Sequence, residues 1–273
     1  MLAVVVGAGG GIGGACARQL AEQYDAVLCV DRDLDAAERT AEAIRSLRAG
    51  QEVPASGSTT APRAVAWEGD AEAPECPRAV ALAGDAADPD FGRMVGAAAA
   101  ELGPVGCAVY AVAYEEHTPA VELSRESLVR SLTVGPVGAF EFFRALTPAP
   151  GASYVAIGSL HETQPFANCL GYNAAHGALG QVVRTLAHEW ADRGIRVNAV
   201  VPGWIATPGE EVFHGAEALE AAGRLLPFKR HGRPEEVAAA VGFLASEAAG
   251  YVSGSFLTVD GALSTSLARL RGL

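Results

Sequence analysis

The sequence predicts an α/β fold, a doubly wound parallel sheet with helices on both faces. Three observations carry that prediction. Short apolar runs alternate along the chain with amphipathic stretches of helical length, the pattern of strands buried on both faces by crossover helices. A run of glycines joins the first apolar run to the first amphipathic stretch. Half of the 273 residues are apolar and 32 are glycine, enough for a large core and for close backbone approaches.

The elements follow in order. Leu2–Val6 is a buried strand, and an amphipathic helix runs from the glycine turn to about Gln23. Ala26–Val30 is the second strand, closed by Asp31-Arg32-Asp33. Leu34–Arg48 is helical, with Leu34, Ala37, Ala41, Ile44 and Leu47 on one face. Residues 50–77 are rich in Pro, Ser, Gly and Thr and read as a surface insertion. Arg63–Asp70 resembles Arg78–Asp85, and the second copy is assigned as the third strand because Asp85–Pro89 leads into a helix over Phe91–Leu102. The first copy is then an extra edge strand or a flap.

Gly106–Val112 is the fourth strand. Arg125–Leu146 is a helix broken at Gly135-Pro136, where proline removes a backbone donor. Ser153–Gly158, Ile195–Val201 and Phe256–Val259 are the remaining strands. Tyr172–Arg193 and Pro234–Ala245 are helices, and Pro202–Lys229 is a loop-rich lobe. No linker divides the chain, so residues 1–273 are expected to form one domain, with a substrate lobe at 204–232.

Composition excludes several functions. A formal net charge of −12 disfavours nucleic acid and anionic membranes. No apolar run spans a bilayer and no signal peptide precedes the first strand, so a cytoplasmic protein is expected. Cys16, Cys29, Cys76, Cys107 and Cys169 have neither metal nor redox spacing, and no HExxH motif occurs, so no metal is expected. Arginine is plentiful, but Lys229 is the only lysine.

Two features point to a dinucleotide. The loop Gly7-Ala8-Gly9-Gly10-Gly11-Ile12-Gly13 lies between a strand and a helix, where glycines let a pyrophosphate approach the helix N-terminus. Asp31 closes the second strand. A carboxylate there can hydrogen-bond the ribose hydroxyls of NAD and repels the 2′-phosphate of NADP, although Arg32 beside it suits that phosphate. NAD is the expected cofactor.

A family resemblance joins these features. The spacing Gly7-xxx-Gly11-x-Gly13, the pair Ser159 and Tyr172, the run Gly194–Gly203 and the pattern Ser253-Gly254 through Asp260-Gly261 resemble the short-chain dehydrogenases/reductases. Ser159–Glu162 and Arg233–Val237 look most like the glucose 1-dehydrogenase branch. The resemblance implies a Rossmann-like fold and a homotetramer packed through Arg125–Leu146, Tyr172–Arg193 and the C-terminal strand. It also implies cofactor contacts from Gly7, Gly9, Gly11, Ile12, Gly13, Asp31, Arg32, Asp85, Ala86, Pro202, Gly203 and Thr207. In the family, Ser polarises the substrate oxygen, Tyr transfers the proton, and a Lys four residues later binds the ribose and lowers the Tyr pKa.

This chain departs from that pattern. His176 stands in place of the Lys, and supplies a cation only when protonated. The family Asn of the preceding helix falls near Gly135, and the family Asn-Asn-Ala-Gly is replaced by Tyr110-Ala111-Val112-Ala113, whose side chains are expected to crowd the cofactor ribose. His161 and Glu162 are read equally as substrate-facing or as a surface pair, and Glu115, Glu116 and His117 as solvated. The expected function is an NAD-dependent oxidoreductase of a small-molecule secondary alcohol or ketone, using Ser159, Tyr172 and His176. Two alternatives stay open: non-redox chemistry on the same scaffold (dehydration, isomerisation or cyclisation), and a catalytically silent NAD-binding subunit.

Overall fold

The computed structural model describes residues 1–49, 78–210 and 215–265. Within them lie seven parallel strands: β1 (Leu2–Val6), β2 (Ala26–Asp31), β3 (Arg78–Ala83), β4 (Val105–Tyr110), β5 (Pro148–Ile157), β6 (Arg196–Pro202) and β7 (Phe256–Val259). They form one sheet in the order β3-β2-β1-β4-β5-β6-β7. Winding reverses between β1 and β4, and open sheets of this kind bind ligands at such a switch point, beyond the strand C-termini.

The described residues form eight α-helices: α1 (Gly11–Leu20), α2 (Leu34–Ala49), α3 (Phe91–Leu102), α4 (Arg125–Leu132), α5 (Gly138–Ala145), α6 (Leu170–Glu189), α7 (Ala216–Leu225) and α8 (Pro234–Ala245). Period-two alternation splits the strands between two cores. Leu2, Val4 and Val6 face the side packed by α3, α5 and α6, with Phe91, Phe142, Phe143, Leu179 and Val183. Ala3 and Val5 face the side of α1, α2 and α8, with Leu20, Ile44, Val241 and Leu244. Each fully buried Leu, Ile, Val or Phe contributes roughly 1.5–3 kcal/mol. Polar ties fix the sheet's far edge. The Ser153 hydroxyl donates to the Leu244 carbonyl at 2.7 Å, and Asn198 bridges Val252 and Ser255 at 2.9 Å each.

The expected third strand at residues 78–85 forms, in register with β2. The first copy of its sequence and the insertion at 50–77 lie outside the described residues. The helix expected over Arg125–Leu146 is three pieces: α4, a π-helical turn Thr133–Val137 around Pro136, and α5. The missing proline N–H breaks the α ladder there, as anticipated. A contact not anticipated supports that turn: the Tyr110 hydroxyl donates to the Val134 carbonyl. Gly138 makes room for it, since a Cβ there would lie 2.3 Å from the Tyr110 oxygen. In the lobe before α8, Lys229 is exposed and adopts a left-handed φ of 59°. No described helix is long and apolar enough to cross a membrane.

Candidate active site

At the switch point, β1 turns into α1 through the glycine loop. Gly7 has φ +84°, a left-handed conformation natural only to glycine. Gly13 is required by contact: a Cβ on it would lie 2.1 Å from the Gly7 carbonyl oxygen. α1 starts with no side-chain cap and no acidic residue in its first turn. Its leading N–H groups therefore remain available to an anion. Beside this loop lies a trough of about 620 Å³ lined by Gly7, Gly9, Gly10, Asp31, Arg32, Asp85, Ala86, Ala111–Ala113 and Arg130, among others. An uncapped helix start, a glycine cradle and a carboxylate at the end of β2 fit a dinucleotide.

The expected cofactor residues divide by place. Asp31 accepts from the Gly9 N–H at 2.9 Å and from the Asp33 N–H at 3.1 Å, so the carboxylate orders the loop as well as lining the trough. Asp85 holds its own turn, accepting from Ala87 N–H at 2.9 Å. Arg32 is exposed on the rim. Ile12, Pro202, Gly203 and Thr207 lie further along, in a cleft of about 210 Å³ that also holds Ser159, Tyr172 and His176. Thr207 packs against Gly11, where a Cβ would sit 3.0 Å from the threonine side chain. Ala111, Val112 and Ala113 form a wall common to trough and cleft.

Ser159 and Tyr172 then open onto a third space of about 560 Å³, lined by Glu115, His117, Leu160, His161, Phe166, Trp204, Glu210 and Leu263 among others. The Ser159 hydroxyl accepts from the His161 N–H at 3.3 Å and lies beside the Tyr172 phenol on the wall common to cleft and cavity. Burial pushes the Tyr172 phenol well above its ordinary value, with Glu115, Glu210 and Cys169 adding to the rise and Ser159 opposing it. His161 stacks on Phe166 at 4.3 Å and meets Tyr172 edge-on at 4.8 Å. Its Nδ1 lies 2.7 Å from the Asn173 Oδ1, which fixes the ring.

His176 corrects the expectation placed on it. The ring is 5% exposed, and neither nitrogen has a hydrogen-bond partner. Burial first, then the nearby His161, lowers its pKa to about 4. The imidazole is therefore neutral at physiological pH and supplies no cation to Tyr172 in this state. The Gly135 position faces the same helix: a Cβ there would lie 3.2 Å from the Ala175 Cβ.

The neighbouring acids are also sorted. Glu162 turns away to pair with Arg184 at 2.7 Å, and His161 faces the cavity. Glu116, expected to be solvated, accepts from Tyr114, Thr118 and Ser127 hydroxyls. Those three donors lower its pKa, Ser127 foremost. Glu115 and His117 are exposed, as expected, and border the same cavity. Sequence reading missed Arg130, which lines the trough with its guanidinium 4.7 Å over the Tyr114 ring, and missed Trp204, which donates to Glu210 at 2.7 Å. Burial and Glu115 raise the Cys169 thiol. Cys16, Cys29, Cys107 and Cys169 are free and buried.

The chain matches the family described as short chain dehydrogenase over residues 1–66 and the one described as Enoyl-(Acyl carrier protein) reductase over residues 48–264. It is 34% identical over 269 residues to 3beta-hydroxysteroid dehydrogenase 1 of Eggerthella lenta, covering 96% of this chain and 92% of the relative. Glucose 1-dehydrogenase of Gluconobacter oxydans is 47% identical over 107 residues, 39% of this chain and 40% of the relative. A crystal structure described as an NAD(P)-dependent gluconate 5-dehydrogenase of Beutenbergia cavernae, with NADP at low occupancy, superposes with a TM-score of 0.78. It is 30% identical and covers 97% of both chains. With the glycine loop, the parallel sheet and the Ser159–Tyr172 pair in place, these likenesses establish that the chain belongs to the short-chain dehydrogenase/reductase family of oxidoreductases.

Proposed function

We propose that the protein interconverts a small secondary alcohol and its ketone with NAD, using Ser159 and Tyr172. One observation carries this reading: Ser159 and Tyr172 together line both the cofactor cleft and the 560 Å³ cavity, on the wall the two spaces share. A bound nicotinamide dinucleotide would supply the hydride chemistry. Ser159 donates a hydrogen bond to the substrate oxygen, and Tyr172 gives that oxygen its proton during reduction. The phenol is held protonated by burial, so it starts as an acid rather than a base. This favours ketone reduction over alcohol oxidation at neutral pH. Asp31 at the trough supports NAD, while the NADP carried by the Beutenbergia cavernae structure makes NADP the competitor to test.

The cavity lining narrows the substrate. Among the described residues it carries Glu115 and Glu210 and no Lys or Arg. That arrangement suits a neutral substrate and repels a sugar acid. The test is NADH oxidation by the purified protein against matched neutral and carboxylated ketones. Turnover of the neutral set, lost in Tyr172→Phe, supports the reading; binding of NADH without turnover of any ketone overturns it.

A second reading has its own observation. His176 is neutral, and Gly135 stands where the family Asn falls, so the proton relay of the family is incomplete. Non-redox chemistry by Ser159 and Tyr172, with the dinucleotide as a structural ligand, follows if hydride transfer fails. Assembly as a homotetramer is supported by Val129, Val137 and Phe140 exposed on α4, the π turn and α5, and by Leu170 exposed on α6.

A further inference from the structure

Three side chains outside the Ser159–Tyr172 proton transfer gather at the edge of the cavity. Glu115 and His117 follow β4 in an irregular segment, Cys169 precedes α6, and one donor atom from each lies within 4.8 Å of the others. We propose that Glu115, His117 and Cys169 form a three-ligand site for a divalent cation of the zinc type, with its fourth position open to the cavity.

The local chain explains the grouping. Burial alternates along the segment: Tyr114, Glu116 and Thr118 are half-buried, while Glu115 and His117 are exposed. Tyr114, Glu116 and Thr118 take the inner face, where Glu116 collects the hydroxyls of Tyr114, Thr118 and Ser127. That leaves Glu115 and His117 together on the outer face, both lining the cavity. The second loop is stitched to the first. Thr118 N–H donates to the Asn168 carbonyl at 2.8 Å, and Thr118 bridges Cys169. Asn168 takes a left-handed φ of 62°, which turns the chain just before Cys169. Cys169 is 5% exposed, so its sulfur is held in place, while Glu115 and His117 retain side-chain exposures of 40% and 39%.

The donor chemistry is specific. Sulfur, imidazole and carboxylate together suit a borderline-soft ion, and are a poor set for calcium or magnesium, which take oxygen. Bonds of about 2.0–2.3 Å to a tetrahedral ion place donors about 3.3–3.8 Å apart. The present spread therefore closes by about 1 Å, and the 2.6 Å contact between His117 Nε2 and Glu115 Oε1 opens by a similar amount. Three protein donors with an open fourth position are the arrangement of a site that meets a substrate oxygen rather than one that only braces a fold. No sequence motif announces it, because Glu115 and Cys169 are 54 positions apart.

The experiment uses the untagged full chain, freed of metal by chelator and titrated with Co²⁺, with and without competing Zn²⁺. One equivalent should bind, giving a thiolate-to-cobalt charge-transfer band in the near ultraviolet, and Zn²⁺ should displace it. Cys169→Ser should remove the band, and His117→Ala should weaken binding at least tenfold, since even outer partners of a ligand cost 10–100-fold. Circular dichroism of each variant reports folding, and Glu115→Gln gives a third variant should either fail to fold. Absence of the band in the folded wild type, or a band unchanged in folded Cys169→Ser, overturns the site. Either result leaves the redox reading untouched, because NADH oxidation is measured separately.

Discussion

Tyr172 and His176 stand one turn apart on α6, with ring centroids 4.3 Å apart and planes inclined by 54°. The two rings therefore touch at the position where this family ordinarily sets a cation against a phenol. Contact without charge changes what the pair does. The imidazole packs against the phenol, and burial raises one group while lowering the other. Four expectations follow from that geometry and from the trough beside it.

The buried imidazole makes stability depend on pH. Unfolded, His176 titrates near ~6.5; folded, at about 4. Its folded pKa is depressed, so the unfolded state binds more protons between those values and stability falls as pH drops through that window. The full loss is no more than roughly 3 kcal/mol. Urea midpoints measured from pH 7 to pH 4 should show a steeper decline in the wild type than in His176→Leu, which cannot titrate. Parallel declines would refute the assignment.

Restoring a cation should help the phenol act as a base. His176→Lys combined with Gly135→Asn should raise alcohol oxidation at pH 7 by about 10²-fold or more, the usual scale of general base catalysis. The Asn must displace Ala175 by a few tenths of an ångström, so Gly135→Asn alone should lower thermal stability. Initial rates with NAD and a panel of secondary alcohols check this, with Tyr172→Phe as the inactive control. An inert double variant that still binds NAD would favour the non-redox reading.

Cofactor choice rests on Asp31. Calorimetry should show NAD binding more tightly than NADP, and Asp31→Ala should cost NAD about 1 kcal/mol or more. The same substitution removes the acceptor of the Gly9 and Asp33 N–H groups, so a lower melting temperature should accompany it. Tighter binding of NADP by the wild type would reverse the assignment.

Gly13 tests the cradle independently of chemistry. In Gly13→Ala the new Cβ meets the Gly7 carbonyl oxygen at 2.1 Å, backbone that cannot rotate away. Overpacking of this kind costs about 1–3 kcal/mol. Denaturant unfolding should report that loss, and calorimetry should report weakened dinucleotide binding. An unaltered midpoint would show that the loop relaxes without strain.

The strands and the glycine loop were legible because their signals are local. Leu2–Val6 and Ala26–Val30 are continuous apolar runs, and Gly7, Gly9 and Gly13 of the loop between β1 and α1 are required sterically, a Cβ on each meeting a neighbour at 2.5 Å or less. Pro136 likewise announced its break in the helix. The cavity was less legible because its walls come from distant segments. Nothing in the run Tyr114–Thr118 states that Glu116 will be captured by three hydroxyls and that Glu115 and His117 will consequently face the cavity. The charge of His176 was illegible for a related reason. An imidazole reads as a physiological titrating group until the residues that bury it are known.

Lys229 gives the lobe an unusual handle. It carries the molecule's only ε-amine, on an exposed residue with left-handed backbone between α7 and α8. A lysine-specific protease therefore has a single place to cut, and cleavage yields fragments 1–229 and 230–273. The second fragment carries α8 and β7, which pack into the sheet and its α1 face. The nicked halves should stay associated, held by that packing.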